Sequence, residues 1–175
     1  MRETLAHLPT GYLSLAGMFR EVCNDPEAHW PHPVFVLDDD ELLAGNGLNA
    51  AQLVGWQFLA KAAGARAYAI EVQGRLDGKD CRFANLAHGP FVDGLCQTLE
   101  NPDLQEQLRD GGAQLAVVAV SELGVQAAWF RTANPAQSFL FVLQKVSDAL
   151  RPWPAFYTVK QFEEALRQEV QRASR

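Results

Sequence analysis

Cysteine is scarce in this chain: three in 175 residues, at Cys23, Cys81 and Cys96. An odd number without regular spacing builds no disulfide framework. Long apolar runs are missing as well. No stretch approaches the roughly 20 apolar residues of a membrane span. The opening MRETLAHLPTGYLSL has no apolar core behind a basic segment, as a secretory leader would. The expectation is a cytoplasmic protein with reduced thiols and no membrane partner. Cationic excess is absent too. Fifteen Lys and Arg stand against 21 Asp and Glu, a net charge of −6. Non-specific nucleic-acid binding works by displacing counterions with a cationic surface, so no nucleic-acid partner is expected. The usual catalytic fingerprints are also missing: the chain has no Walker A loop, G-x-G-x-x-G, H-E-x-x-H or G-x-S-x-G.

What remains is the composition of an ordinary globular domain, 48% apolar and 21% charged. A single domain over residues 1–175 is expected, with 152–175 as a peripheral helical extension. The stretch Ala113 to Leu150 organises the reading. Leu115 to Val120 is apolar throughout, and Val125 to Phe130 is apolar except at Gln126. Two such runs around the turn Ser121–Gly124 predict strands covered on both faces. Asn134, Pro135 and Gln137 then form a capping-box pattern, which predicts a helix carrying Phe139, Val142 and Val146 to Leu150.

The earlier part of the chain reads in the same way. Tyr12, Leu15, Phe19 and Val22 fall on one helical face. His29 to Pro33 is a stiff connector, and Val34–Leu37 a short strand. Asn49 and Gln52 form a second capping box, predicting a helix over Ala50–Ala63 that is apolar on two sides. Alternation from Arg66 to Leu76, followed by Asp77-Gly78, predicts a hairpin with Val72 opposite Phe83. Helices follow from Pro90 to Leu99 and over Asp103 to Arg109. A last helix is capped by Thr158, with Gln161 as its partner and Phe162, Leu166 and Val170 as its buried stripe. The predicted fold is α+β, or α/β. It is a mostly antiparallel sheet built from two strand–turn–strand–helix units, at 66–100 and 113–151, with N- and C-terminal helices packed on it.

Three groups of residues carry candidate chemistry. The acidic run in VFVLDDDEL places Asp38 and Asp40 just past a strand, where sites collect in α/β sheets. This D-x-D resembles the first motif of the haloacid-dehalogenase-like phosphatases. The resemblance implies a nucleophile at Asp38, a general acid/base at Asp40, a bound magnesium ion and a phosphate contact at Ser121. The chain departs from that pattern at Glu41-Leu42, where the family has Gly-Thr, and in lacking the later paired acids. The alternative is a plain acidic turn or helix start. The second group is Cys23, His29 and His32, which could contribute to a zinc site or simply pack in a loop. The third is a Cys–His pair drawn from Cys81, Cys96 and His88, against which stands the usual role of buried Cys as a small hydrophobe.

With no complete motif, the leading expectation is a non-enzymatic binding or adaptor protein that forms a homodimer, has a protein partner and carries no cofactor. The order of elements over residues 48–151 resembles that of small acidic secretion chaperones, which dimerise through their central part. The alternative is a magnesium-dependent phosphoryl hydrolase using Asp38 and Asp40.

Overall fold

Strand β1, Glu27–Val36, is the strand on which the sheet turns, because its two neighbours run in opposite senses. The computed structural model describes residues 27–61, 67–73, 82–110, 112–144, 150 and 156–173. After β1 come a short helix α1 (Asp39–Leu43), a 3₁₀ turn (Gly47–Ala50), β2 (Gln52–Lys61), β3 (Ala67–Gln73) and β4 (Arg82–Ala87). Helices α2 (Pro90–Leu99) and α3 (Pro102–Arg109) follow. The second half holds β5 (Gln114–Val120), β6 (Val125–Arg131), a 3₁₀ turn (Pro135–Gln137), β7 (Phe139–Gln144), β8 (Phe156–Thr158) and α4 (Val159–Ala173).

The eight strands form one sheet in the order β4-β3-β2-β1-β5-β6-β7-β8. Every neighbouring pair is antiparallel except β1 and β5. The molecule is therefore two four-stranded meanders joined by one parallel ladder, with Val34, Phe35 and Val36 opposite Val117, Val118 and Ala119. Each meander is followed by helix. In strand order and pairing sense the second meander repeats the first, with β5 to β8 in the places of β1 to β4. Helices α2 and α3 cover one face of the sheet, and α4 with α1 the other.

Both faces are apolar, because side chains alternate along strands buried on two sides. On the first, Leu59, Ala69, Leu115, Val117, Ala128 and Phe130 pack against Val92, Leu95 and Leu99 of α2 and Leu104 of α3. On the second, Val118, Val120, Ala127, Leu140 and Val142 pack against Phe162, Leu166 and Val170 of α4 and Leu42 of α1. The fold is thus a mixed α+β architecture on a mostly antiparallel sheet, as the sequence predicts.

The repeating unit differs from the predicted one, and two predicted helices account for the difference. Residues 52–61 form β2 instead of helix, and Phe139–Gln144 form β7. Both runs are apolar on two sides, which fits a strand buried on both faces as well as it fits a buried helix. Aromatic and β-branched side chains and the glycine at position 55 tip the balance toward strand. A side chain at Gly55 would meet the Val72 carbonyl oxygen at 2.6 Å, so the close approach of β2 and β3 depends on glycine. The cap at Asn134 does form, since its side chain accepts from the Ala136 N–H, but it starts only a single 3₁₀ turn. His29 to Pro33 belongs to β1 and is no connector.

Other expectations are met. Val72 pairs with Phe83, the strands around Ser121–Gly124 and the helix at Pro90–Leu99 are present, and Thr158 and Gln161 cap α4 reciprocally. The predicted N-terminal helix, the Asp77-Gly78 turn and the end of the predicted 135–150 helix at Val146 lie outside the described residues.

Candidate binding cleft

The parallel ladder between β1 and β5 stops at Val34 and Val117; toward Pro33 and Leu115 the two strands no longer pair. Pro31 and Pro33 both fall on this part of β1, and proline has no N–H to give a neighbouring strand. A bulge between His29 and His32 bends β1 further. The result is a cleft of about 450 Å³ where the two meanders separate. Pro33, Phe35, Leu53, Trp56 and Leu115 give it an apolar lining, and Leu108 of α3 closes one side.

Among the described residues one charged side chain, Arg131 at the end of β6, lines the cleft. Its guanidinium carbon sits 5.1 Å from the centre of the Phe35 ring and 4.8 Å from that of Trp129. Those rings meet edge to face, 5.7 Å apart, so the guanidinium rests in the angle between them. Cation–π contact engages the face of a guanidinium and leaves its N–H edge free for hydrogen bonds. Among the described residues the Arg131 guanidinium makes no hydrogen bond or ion pair. Two more donors nearby lack acceptors: the indole Nε1 atoms of Trp56 and Trp129 are buried without a hydrogen-bond partner. The cleft is therefore largely apolar, and among the described residues its polar side chains are those of Arg131 and Gln114, with the Trp56 indole in its wall.

The residues singled out from the sequence are distributed elsewhere. Asp38 is the N-cap of α1, its Oδ1 accepting from the Asp40 N–H at 3.1 Å, and Asp40 is exposed. Ser121 is exposed in the turn after β5. Between them, the intervening Asp39 approaches Glu122, with one carboxylate oxygen of Asp39 buried and unpartnered. Partial burial, then the negative charge and hydrogen-bonding carboxyl of Glu122, raise the Asp39 pKa above its ordinary 3.8, with smaller pushes from Asp38 and Asp40. Among the described residues no group of three or more His, Cys, Asp or Glu is placed to hold a metal ion.

His32 is fully buried, its Nε2 3.0 Å from Gln57 Oε1. Gln57 in turn donates from Nε2 to Glu71 at 3.1 Å. That direction leaves Gln57 Oε1 as acceptor and assigns the proton to His32 Nε2. His29 pairs with Leu59 through the backbone, while Cys23 and Cys81 lie outside the described residues. Cys96 is half-buried on α2 and in no disulfide, and His88 is exposed with its ring edge against Tyr68.

None of Arg131, Trp56 and Trp129 is among the candidates drawn from the sequence. A local signal was present: Trp129 and Arg131 are two apart on a strand and share a face. Phe35 joins them only through the parallel ladder, which no local pattern reveals. No family model, curated protein or solved structure gives a significant match to the chain.

Proposed function

We propose that this chain is a non-enzymatic, cytoplasmic binding protein or adaptor, and that the cleft at the β1/β5 divergence is its recognition site. The observation that carries the reading is the Arg131 guanidinium, stacked on two aromatic rings at an apolar cleft and without a hydrogen-bond partner among the described residues. Five N–H donors held in place by stacking cost conformational freedom that nothing in the described protein returns through hydrogen bonds. An incoming acceptor returns it. The cleft also lies in the size range of about 300–1,000 Å³ typical of small-ligand sites, with the usual combination of apolar lining and few polar groups. Its position between two meanders matches the preference of such sites for junctions within a fold. The reading includes a homodimer, for which the sheet's terminal strands β4 and β8 supply edges, with Phe156 of β8 66% exposed.

The test is ligand-detected NMR with a fragment library. The expected hits shift the indole N–H resonances of Trp56 and Trp129 and are lost in Leu53→Arg, which fills the cleft from an exposed position. A library that produces no hits, or hits that leave both indoles unmoved, refutes the assignment of the cleft.

A further inference from the structure

Resting on that reading of the cleft, we infer that its ligand is a small organic monoanion: a carboxylate joined to a flat or branched apolar body. The chemistry of the lining selects this class. Arg131 presents a planar fork of N–H donors, which matches a carboxylate in bidentate geometry. Among the described residues it is the one cation in the lining. A phosphate dianion is ordinarily held by several donors or cations together, such as a backbone nest or a paired Lys and Arg. One guanidinium balances one negative charge. A neutral ligand would satisfy the apolar wall and leave the guanidinium edge without a charged acceptor.

The rest of the cleft describes the remainder of the ligand. Pro33, Leu53, Trp56 and Leu115 offer contact but no hydrogen bonds apart from the Trp56 indole N–H, which is a donor. A body rich in hydroxyls or amines would lose water without replacement there. An aromatic or branched aliphatic body loses nothing and gains the burial. The size of the cleft, about 450 Å³, suits a small molecule, and the nearby donors suit one that carries acceptors.

The experiment is a fluorescence and calorimetric titration of the intact chain with 3-phenylpropanoate and its neutral isostere, 3-phenylpropanamide. The acid is expected to change tryptophan emission and to bind at least about tenfold more tightly than the amide, as a charge-assisted hydrogen bond requires. Its affinity should fall with added salt. Arg131→Gln should erase the difference between acid and amide, and Arg131→Lys should keep part of it, since charge survives but the fork does not. The comparison of acid with amide is made on the wild-type chain, so it stands even where a variant folds poorly. Equal binding of acid and amide at the cleft indoles overturns the carboxylate inference and leaves the binding cleft standing. Binding of neither at millimolar concentration overturns both. A short peptide ending in a free phenylalanine carboxylate that binds more than about tenfold more tightly than phenylpropanoate overturns the small-ligand assignment in favour of a chain terminus.

Discussion

Replacing Phe162 by alanine tests how the second face of the sheet is held. Phe162 is the first buried residue of α4 and is fully inaccessible. Its ring lies 6.4 Å from that of Tyr157 and belongs to the cluster with Leu140, Val142, Leu166 and Val170. Truncation removes the transfer free energy of the ring and opens a cavity whose walls belong to a sheet and a helix, neither free to collapse. Such a change costs about 3–5 kcal/mol. In a domain of this size each kcal/mol moves the thermal midpoint by roughly 2–4 °C, so a fall of about 10 °C is expected. Calorimetry on the wild type, Phe162→Ala and Phe156→Ala provides the assay. Phe156 is six residues before Phe162 in the same chain segment but 66% exposed, and its loss should stay within about 0.5 kcal/mol. A Phe162→Ala midpoint within about 3 °C of wild type would refute the reasoning, because α4 would then contribute little to the core.

Gly47 has φ +57°, and a Cβ there would collide with the Glu163 carboxylate, which accepts from the Leu48 N–H at 2.7 Å; Gly47→Ala should therefore lower stability by about 1–3 kcal/mol, measured by urea unfolding. Asp39 holds its proton more tightly when folded than when unfolded, so its contribution to stability is fully present below pH 3.8 and is lost as pH rises through the folded value. Asp39→Asn should accordingly flatten the loss of stability over that window and raise stability at pH 7; an unchanged slope in unfolding measured from pH 3 to 7 would refute it. Val142→Asp places an unpaired charge at a fully buried position and should cost several kcal/mol, read as a large drop in thermal midpoint. Light scattering at micromolar concentration should give about twice the 19.3 kDa chain mass, and the monomer mass would remove the homodimer.

Legibility in the sequence followed the range of the interaction. Local signals succeeded: the Thr158–Gln161 box, the helix from Pro90 to Leu99 and the hairpin register between Val72 and Phe83 all depend on residues close in the chain. Two-sided apolar runs failed, since QLVGWQFLAK and FLFVLQ carry little amphipathic contrast to fix their period. The capping residues Asn49 and Asn134 reinforced the error, because a side chain that starts one turn cannot say whether a second follows. The cleft was least legible. It depends on the junction of β1 with β5, some 80 residues apart, and on two prolines read as a connector when they lie in the central strand.

The arrangement of the sheet as two meanders bears on how the chain can be divided. Each half is a contiguous segment, and the halves meet in the sheet only through the short parallel ladder and on the faces through helices laid across the seam. Leu115, Ala128, Phe130 and Leu143 of the second half complete the core beneath α2 of the first. Neither half thus owns a closed interior. Severed between Asp110 and Ala113, the two fragments should be apolar and association-prone when apart, yet should reconstitute the sheet by complementation when mixed.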